Sequence, residues 1–303
     1  MALGDTYGGV KLYNNSLSLA QSFKPHSTLI NRIKQSPFDN SNLVATCSRD
    51  HTVKIWNVSS SSSSSASSWT LIQTYFEHSS YIYALEWLDA DTLTSSGYAD
   101  ETIKIWSLSA GEMKRTINTT LVYSLKLLAS SYLAAGLESD INIYNLNKNG
   151  SLLATLQGHT ANVNDLVQLN ANTLASSSDD RTIRIWDLGT NECKFFLQGH
   201  TSAVFGLKQI TSTVLASGSR DTTIKLWDTS SGRLIRTLKG HTGFIYWSLD
   251  LMDNEKTLVS GSIDQVIIKW NWSNGQMLSR VSTGNSYTVS IWSLAVIDLN
   301  RQQ

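Results

Sequence analysis

A motif of eleven residues recurs along the chain. Ser217 to Trp227 reads SGSRDTTIKLW, Ser176 to Trp186 SSSDDRTIRIW and Ser96 to Trp106 SGYADETIKIW. Thr46 to Trp56 reads TCSRDHTVKIW and Ser260 to Trp270 SGSIDQVIIKW. In all five an Asp stands six residues before the Trp and a Ser or Thr stands ten before it. Upstream lie His26, His78, His159, His200 and His241, three of them behind Gly158, Gly199 and Gly240. His159, His200 and His241 are spaced 41 residues apart. A unit this short cannot bury its own apolar face, so copies must stack. The segment before each Trp alternates and is rich in β-branched residues, as in Thr222-Thr223-Ile224-Lys225-Leu226-Trp227, and turn residues precede it, which predicts strands. No stretch holds a 3.6-residue apolar period, so almost no helix is expected.

These residues resemble the tryptophan–aspartate (WD) repeat family, whose repeats are four-stranded blades of β-propellers. Two further blades are degenerate. In Ala134 to Tyr144, Glu138 takes the Asp place and Tyr144 the Trp place. The other is split between the termini. Leu3 to Tyr13 supplies two strands, with Tyr7 in the Asp place and Tyr13 in the Trp place. Ser16 to Lys24 supplies the outer strand, and Ile291 to Val296, an echo of Tyr246-Trp247-Ser248-Leu249, supplies the innermost. The expectation is an all-β, seven-bladed propeller of four-stranded antiparallel blades. Residues 1–303 form one domain, closed by a blade built from 1–25 and 285–303, since an unclosed sheet would expose unpaired edges.

Composition narrows the function classes. The 24 basic and 24 acidic residues balance, which disfavours a dedicated nucleic-acid binder. Two cysteines, Cys47 and Cys193, cannot make a disulfide scaffold and point to a reducing compartment. No apolar run reaches the ~18 residues of a membrane span. Met1 to Val10 has no basic segment followed by an apolar one, so it is not a signal peptide. Charged residues are only 16 %, but a 41 % hydrophobic fraction is not that of a disordered chain. Ser59 to Ser68 holds nine serines and Ala66. It explains why Trp56 to Trp106 spans 50 residues, and it reads as a disordered loop between a third and an outer strand.

The Ser, His and Asp of each repeat suggest a hydrolytic triad, but no hydrolase needs five identical sites. The resemblance implies a buried hydrogen-bond network in each blade: His26, Thr46, Asp50 and Trp56; His78, Ser96, Asp100 and Trp106; His159, Ser176, Asp180 and Trp186; His200, Ser217, Asp221 and Trp227; and His241, Ser260, Asp264 and Trp270. The histidines lack metal-ligand spacing, and Gly8-Gly9 lacks the Lys-Ser/Thr of a phosphate loop. No catalytic residue, metal or cofactor is expected.

In the family the exposed loop positions flank the first inward aliphatic of each innermost strand and precede the turn acid. Here they are Tyr81 and Tyr83, Ala203 and Phe205, Phe244 and Tyr246, Leu121 and Tyr123, Asn162 and Asn164, and Leu29 and Asn31. Before the turn acids stand Arg49, Ala99, Leu137, Asp179, Arg220 and Ile263. Tyr81, Tyr83, Tyr123, Phe205, Phe244, Tyr246, Arg49 and Arg220 form the candidate partner-binding face, because aromatics and Arg dominate binding hot spots. The expected function is a non-enzymatic scaffold or adaptor for proteins or peptides. It would be a monomeric propeller within a complex, in the cytoplasm or nucleus, with no direct nucleic-acid or membrane contact. The alternatives are a recognition or structural subunit of a ubiquitin ligase or RNA-processing assembly and, more distantly, a propeller enzyme.

Overall fold

The computed structural model describes residues 1–38, 42–60, 67–252, 256–283 and 290–297. Every sheet among them is four-stranded and antiparallel, and there are seven. Two compact units hold them.

Unit one comprises Met1–Val122 and Trp292–Gln303. Its first sheet runs Ile291–Ala295, Ala2–Asp5, Val10–Tyr13, Leu19–Phe23, so the C-terminal strand pairs with the N-terminal one. The second is Ile30–Gln35, Leu43–Ser48, Val53–Ser60 and Ser67–Tyr75. The third is Ile82–Trp87, Thr92–Gly97, Thr102–Ser107 and Glu112–Asn118. Apolar side chains pack between neighbouring sheets: Cys47, Ile55 and Tyr75 of the second lie against Ile82, Leu85 and Trp106 of the third.

Unit two, Tyr123–Ile291, repeats the plan four times. Its innermost strands are Ser124–Leu128, Val163–Asn170, Val204–Gln209 and Leu249–Met252; its outermost are Ser151–Gln157, Glu192–Leu197, Arg233–Leu238 and Gln276–Ser282. Middle strands such as Val214–Ser219 are buried almost throughout, whereas outer ones such as Glu112–Asn118 are mostly exposed. Among the described residues the only helical turns are the 3-10 segments Ala129–Ser131 and Leu146–Lys148.

Two irregularities recur and set the geometry. In all seven sheets the register of the third and fourth strands shifts at the Trp position: at Trp56, Trp106, Trp186, Trp227 and Trp270, and at Tyr13 and Tyr144. The two tyrosines therefore do occupy the Trp place. A second bulge interrupts four innermost strands, at Asn31, Tyr83, Asn164 and Phe205. A bulged residue is unpaired and its side chain is re-aimed.

Three expectations need correction. The outer strand of the split sheet begins at Leu19, not Ser16, because the Asn14 side chain accepts from the amides of Ser16 and Ser18 and folds that stretch into a turn. Ser59, Ser60, Ser67 and Ser68 are not a loop: they pair across the ends of two strands, which extend the hairpin. The remainder of the serine run, 61–66, lies outside the described residues, as do 284–289 and 298–303 of the C-terminal part of the split blade. Finally, the turn of the first sheet is organised by Asp5, not Tyr7. Asp5 Oδ1 accepts from the amides of Tyr7 and Gly9 at 2.9 and 2.7 Å, while Tyr7 is 50 % exposed.

Candidate partner-binding face

Each complete repeat builds the same relay. In the sixth sheet His200 Nδ1 lies 2.7 Å from Asp221 and its Nε2 2.8 Å from Ser217 Oγ. Ser217 also accepts the Trp227 indole N–H at 2.8 Å. The equivalent His–hydroxyl distances are 2.8 Å to Thr46, 2.7 Å to Ser176 and 2.8 Å to Ser260. Burial alone would raise Asp221, but hydrogen bonds from His200 and Thr223 hold it well below the usual carboxylate range. Asp50 and Asp180 are lowered in the same way. Burial keeps His26 and His200 below the ordinary imidazole value, against the pull of their carboxylates. One proton arrangement follows. Neutral His donates from Nδ1 to an ionised Asp, the hydroxyl donates to Nε2, and the indole donates to the hydroxyl. Both ring nitrogens of the histidine are therefore engaged within the relay.

The relay also holds the loops. Asp221 Oδ2 accepts the Thr201 amide at 3.0 Å, and Asp50 the Ser27 amide at 3.0 Å. The glycine before the histidine has a local reason too: a Cβ at Gly199 would stand 3.1 Å from the edge of the Trp227 ring, with φ at +157°.

The third sheet departs from the expected register. His78 and Trp106 meet Ser95, not Ser96. The turn is one residue longer there, so the hydroxyl lies eleven residues before the Trp. The residue before the turn acid moves accordingly. Arg49, Asp179, Arg220 and Ile263 each send their amide to the carbonyl of the loop residue across the turn, and in the third sheet Tyr98, not Ala99, makes that bond, to Tyr81 O at 2.7 Å. Counting back four residues from Asp100 or ten from Trp106 gives Ser96 alike, so the sequence carries no signal for Ser95 beyond its being the adjacent serine.

Apart from Tyr123, the candidate contact residues fall into one cluster in each unit. In unit one the Arg49 guanidinium lies 5.7 Å from the Tyr81 and Tyr83 rings and 5.3 Å from the Trp292 ring. Tyr83 packs on Tyr98, and Tyr81 on His51. Trp292 and Tyr98 were not among the expected contacts. Trp292 follows Ile291, whose amide bonds Ser262 O as Ile245 bonds Ser219 O, so it matches Tyr246 and not Trp247. In unit two Arg220 lies 4.9 Å from Phe205 and 5.8 Å from both Phe244 and Tyr246.

Exposure divides the set. Tyr81 and Phe244 are 44 % and 38 % exposed. Tyr123, Phe205 and Tyr246 are 8 %, 5 % and 5 % exposed, so they are not open contact residues: Phe205 is packed against Tyr246 and Trp247 at 4.7 and 5.4 Å. The acid that precedes the turn Asp180 in unit two is internally satisfied. Asp179 accepts from Asn162 and Asn164 at 3.1 and 2.8 Å. Among the described residues no group of three His, Cys, Asp or Glu could hold a metal. Both cysteines are free thiols, and burial pushes Cys47 up to about 12.

Comparison with known proteins agrees with this architecture. The family model "WD domain, G-beta repeat" matches residues 17–57, 69–107, 150–187, 191–228 and 232–271. The nuclear distribution protein PAC1 of Candida glabrata is 27 % identical over 230 residues, 61 % of this chain and 47 % of that one. The Polycomb protein EED of Chaetomium thermophilum is 48 % identical over 56 residues, 18 % and 10 % of the two chains. The WD repeat-containing protein 89 homolog of Dictyostelium discoideum is 36 % identical over 77 residues, 25 % and 21 %. The matches cover less than half the length of each relative. The crystal structure of the WD40 β-propeller domain of Doa1 superimposes with a TM-score of 0.73 at 24 % identity, covering 90 % of this chain and 88 % of that one. The fold is an all-β, seven-bladed propeller of four-stranded antiparallel blades, and the chain belongs to the WD40 repeat family.

Proposed function

We propose that the chain is a non-enzymatic interaction platform that holds protein or peptide partners on its loops, at the Arg49–Tyr81 cluster of unit one and at the Arg220–Phe244 cluster of unit two. WD40 propellers generally serve as protein-interaction scaffolds. The observation that carries the reading is the pair of arginine–aromatic clusters, each stacking a guanidinium on three rings. Rigid aromatics and Arg give large contact energy for little lost side-chain entropy. The relays beneath fix the loops in advance, which lowers the ordering cost of binding. The free cysteines, and relatives named for nuclear distribution and for Polycomb, support a place inside the cell.

The test is affinity purification of the wild type beside Tyr81→Ala and Phe244→Ala. Both side chains are exposed, so truncation leaves the core intact. The expected result is a set of co-purifying proteins diminished in both variants although their melting is unchanged. Undiminished recovery would refute the reading. Phe205 and Tyr246 make poor probes, since truncating a buried aromatic costs about 3–5 kcal/mol of stability.

A further inference from the structure

The residues before the turn acids treat charge unequally. Asp179 has two side-chain amides on its oxygens. Arg49 has none of the reverse kind: its amide bonds Leu29 O, its guanidinium faces three rings, and its buried Nε has no acceptor among the described residues. Aromatic faces attract the cation but leave the in-plane N–H groups unused. The neighbouring acid cannot supply the acceptor, because Asp50 Oδ1 already takes the Thr52 amide and hydroxyl, and its Oδ2 takes His26 and the Ser27 amide. A half-buried guanidinium that is always charged is thus held against three rings with no carboxylate beside it among the described residues.

We propose that Arg49 is the anchor for a carboxylate of an acidic peptide segment of the partner. The planar fork matches a carboxylate through two parallel N–H···O bonds, and the Tyr81 and Trp292 rings confine the geometry. The rings also offer apolar contact to the carbon stem of an Asp or Glu. The turn that carries Arg49 is fixed before binding: Ser48 Oγ bonds Leu29 O at 2.8 Å and accepts the Asp50 amide at 3.1 Å. The inference rests on the loop face being a peptide-binding surface, and it adds the charge and residue class that the surface selects.

A displayed random-peptide library, panned on the full chain, tests it. The expected result is an enriched consensus with Asp or Glu at one fixed position. That preference disappears when the same library is panned on Arg49→Gln and persists on Arg233→Gln, which removes an exposed charge from an outer strand. A synthetic consensus peptide should lose about tenfold or more in affinity when its acid is replaced by the isosteric amide. Arg49→Lys, which keeps the charge and loses the fork, should fall between. An enriched consensus without an acid would overturn the anchor and leave the peptide-binding reading standing. No enrichment at all would overturn both. Binding by a phosphoserine version but not by the Asp or Glu peptide would overturn the carboxylate assignment.

Discussion

Ser95 Oγ accepts the Trp106 indole N–H at 2.8 Å and meets His78 Nε2 at 2.8 Å, so one hydroxyl joins the core tryptophan of the third sheet to its loop histidine. Its neighbour Ser96 reaches only the Val122 carbonyl, at 3.4 Å. Ser95→Ala leaves two buried groups without a partner, each costing about 1–3 kcal/mol. Ser96→Ala should cost no more than about 1 kcal/mol. Urea unfolding of both variants checks the order, and equal losses would show that the relay does not run through Ser95.

Acid should loosen the fold in two stages. Burial lowers His26 and His200, so their contribution is complete above the unfolded value near 6.5 and is lost as pH falls below it. The lowered Asp50, Asp180 and Asp221 contribute above their unfolded value of 3.8 and lose that contribution as pH falls below it. The urea midpoint should therefore fall between pH 7.5 and 5 and drop further below 4. His200→Gln should start lower and show a smaller first drop. A midpoint that rises on acidification would contradict the neutral-histidine relay.

How much could be read in advance follows from how local each feature is. The Trp place and its tyrosine substitutes were legible because the strand register shifts there in every sheet. The extra turn residue at Tyr98-Ala99 was not, because Ser95 and Ser96 are the same residue type and only the hydrogen bonds distinguish them. The echo of Tyr246-Trp247-Ser248-Leu249 aligns Trp292 with Trp247, an offset of one that the Ile291 amide bond to Ser262 O corrects. The burial of Phe205 and Tyr246 is set by each other and by Trp247, far from Phe205 in sequence, so no local pattern could give it.

One backbone feature appears only in the structure. The residue after the turn acid is left-handed in all five complete repeats: His51, Glu101, Arg181, Thr222 and Gln265 have φ between 54° and 72°. Thr222, at φ 70°, is β-branched and the most strained type there. Thr222→Asn should stabilise the chain by about 0.5–1 kcal/mol, since Asn tolerates this region. Thr223→Asn should do the opposite, because Thr223 Oγ1 donates to Asp221 at 2.6 Å. Paired denaturation curves decide it; destabilisation by Thr222→Asn would mean that the turn is unstrained.

The two thiols should behave differently. Cys47 is fully buried and burial pushes it up to about 12, whereas Cys193 is half-buried in an outer strand. A thiol reagent at pH 8 should modify Cys193 in the native chain and Cys47 only after unfolding. Mass spectrometry of the labelled peptides checks this, and early labelling at Cys47 would contradict the packing between the second and third sheets.

The most direct measurement of the central claim is a photo-cross-linking scan with benzoylphenylalanine at Tyr81 and Phe244 on the loop face, and at Leu153 and Phe196 on exposed outer strands. All four side chains are open to solvent, so labelling tests position and not folding. The account predicts partner adducts at 81 and 244 and none at 153 and 196. Adducts confined to 153 and 196 would place the partners on the outer edges and contradict it.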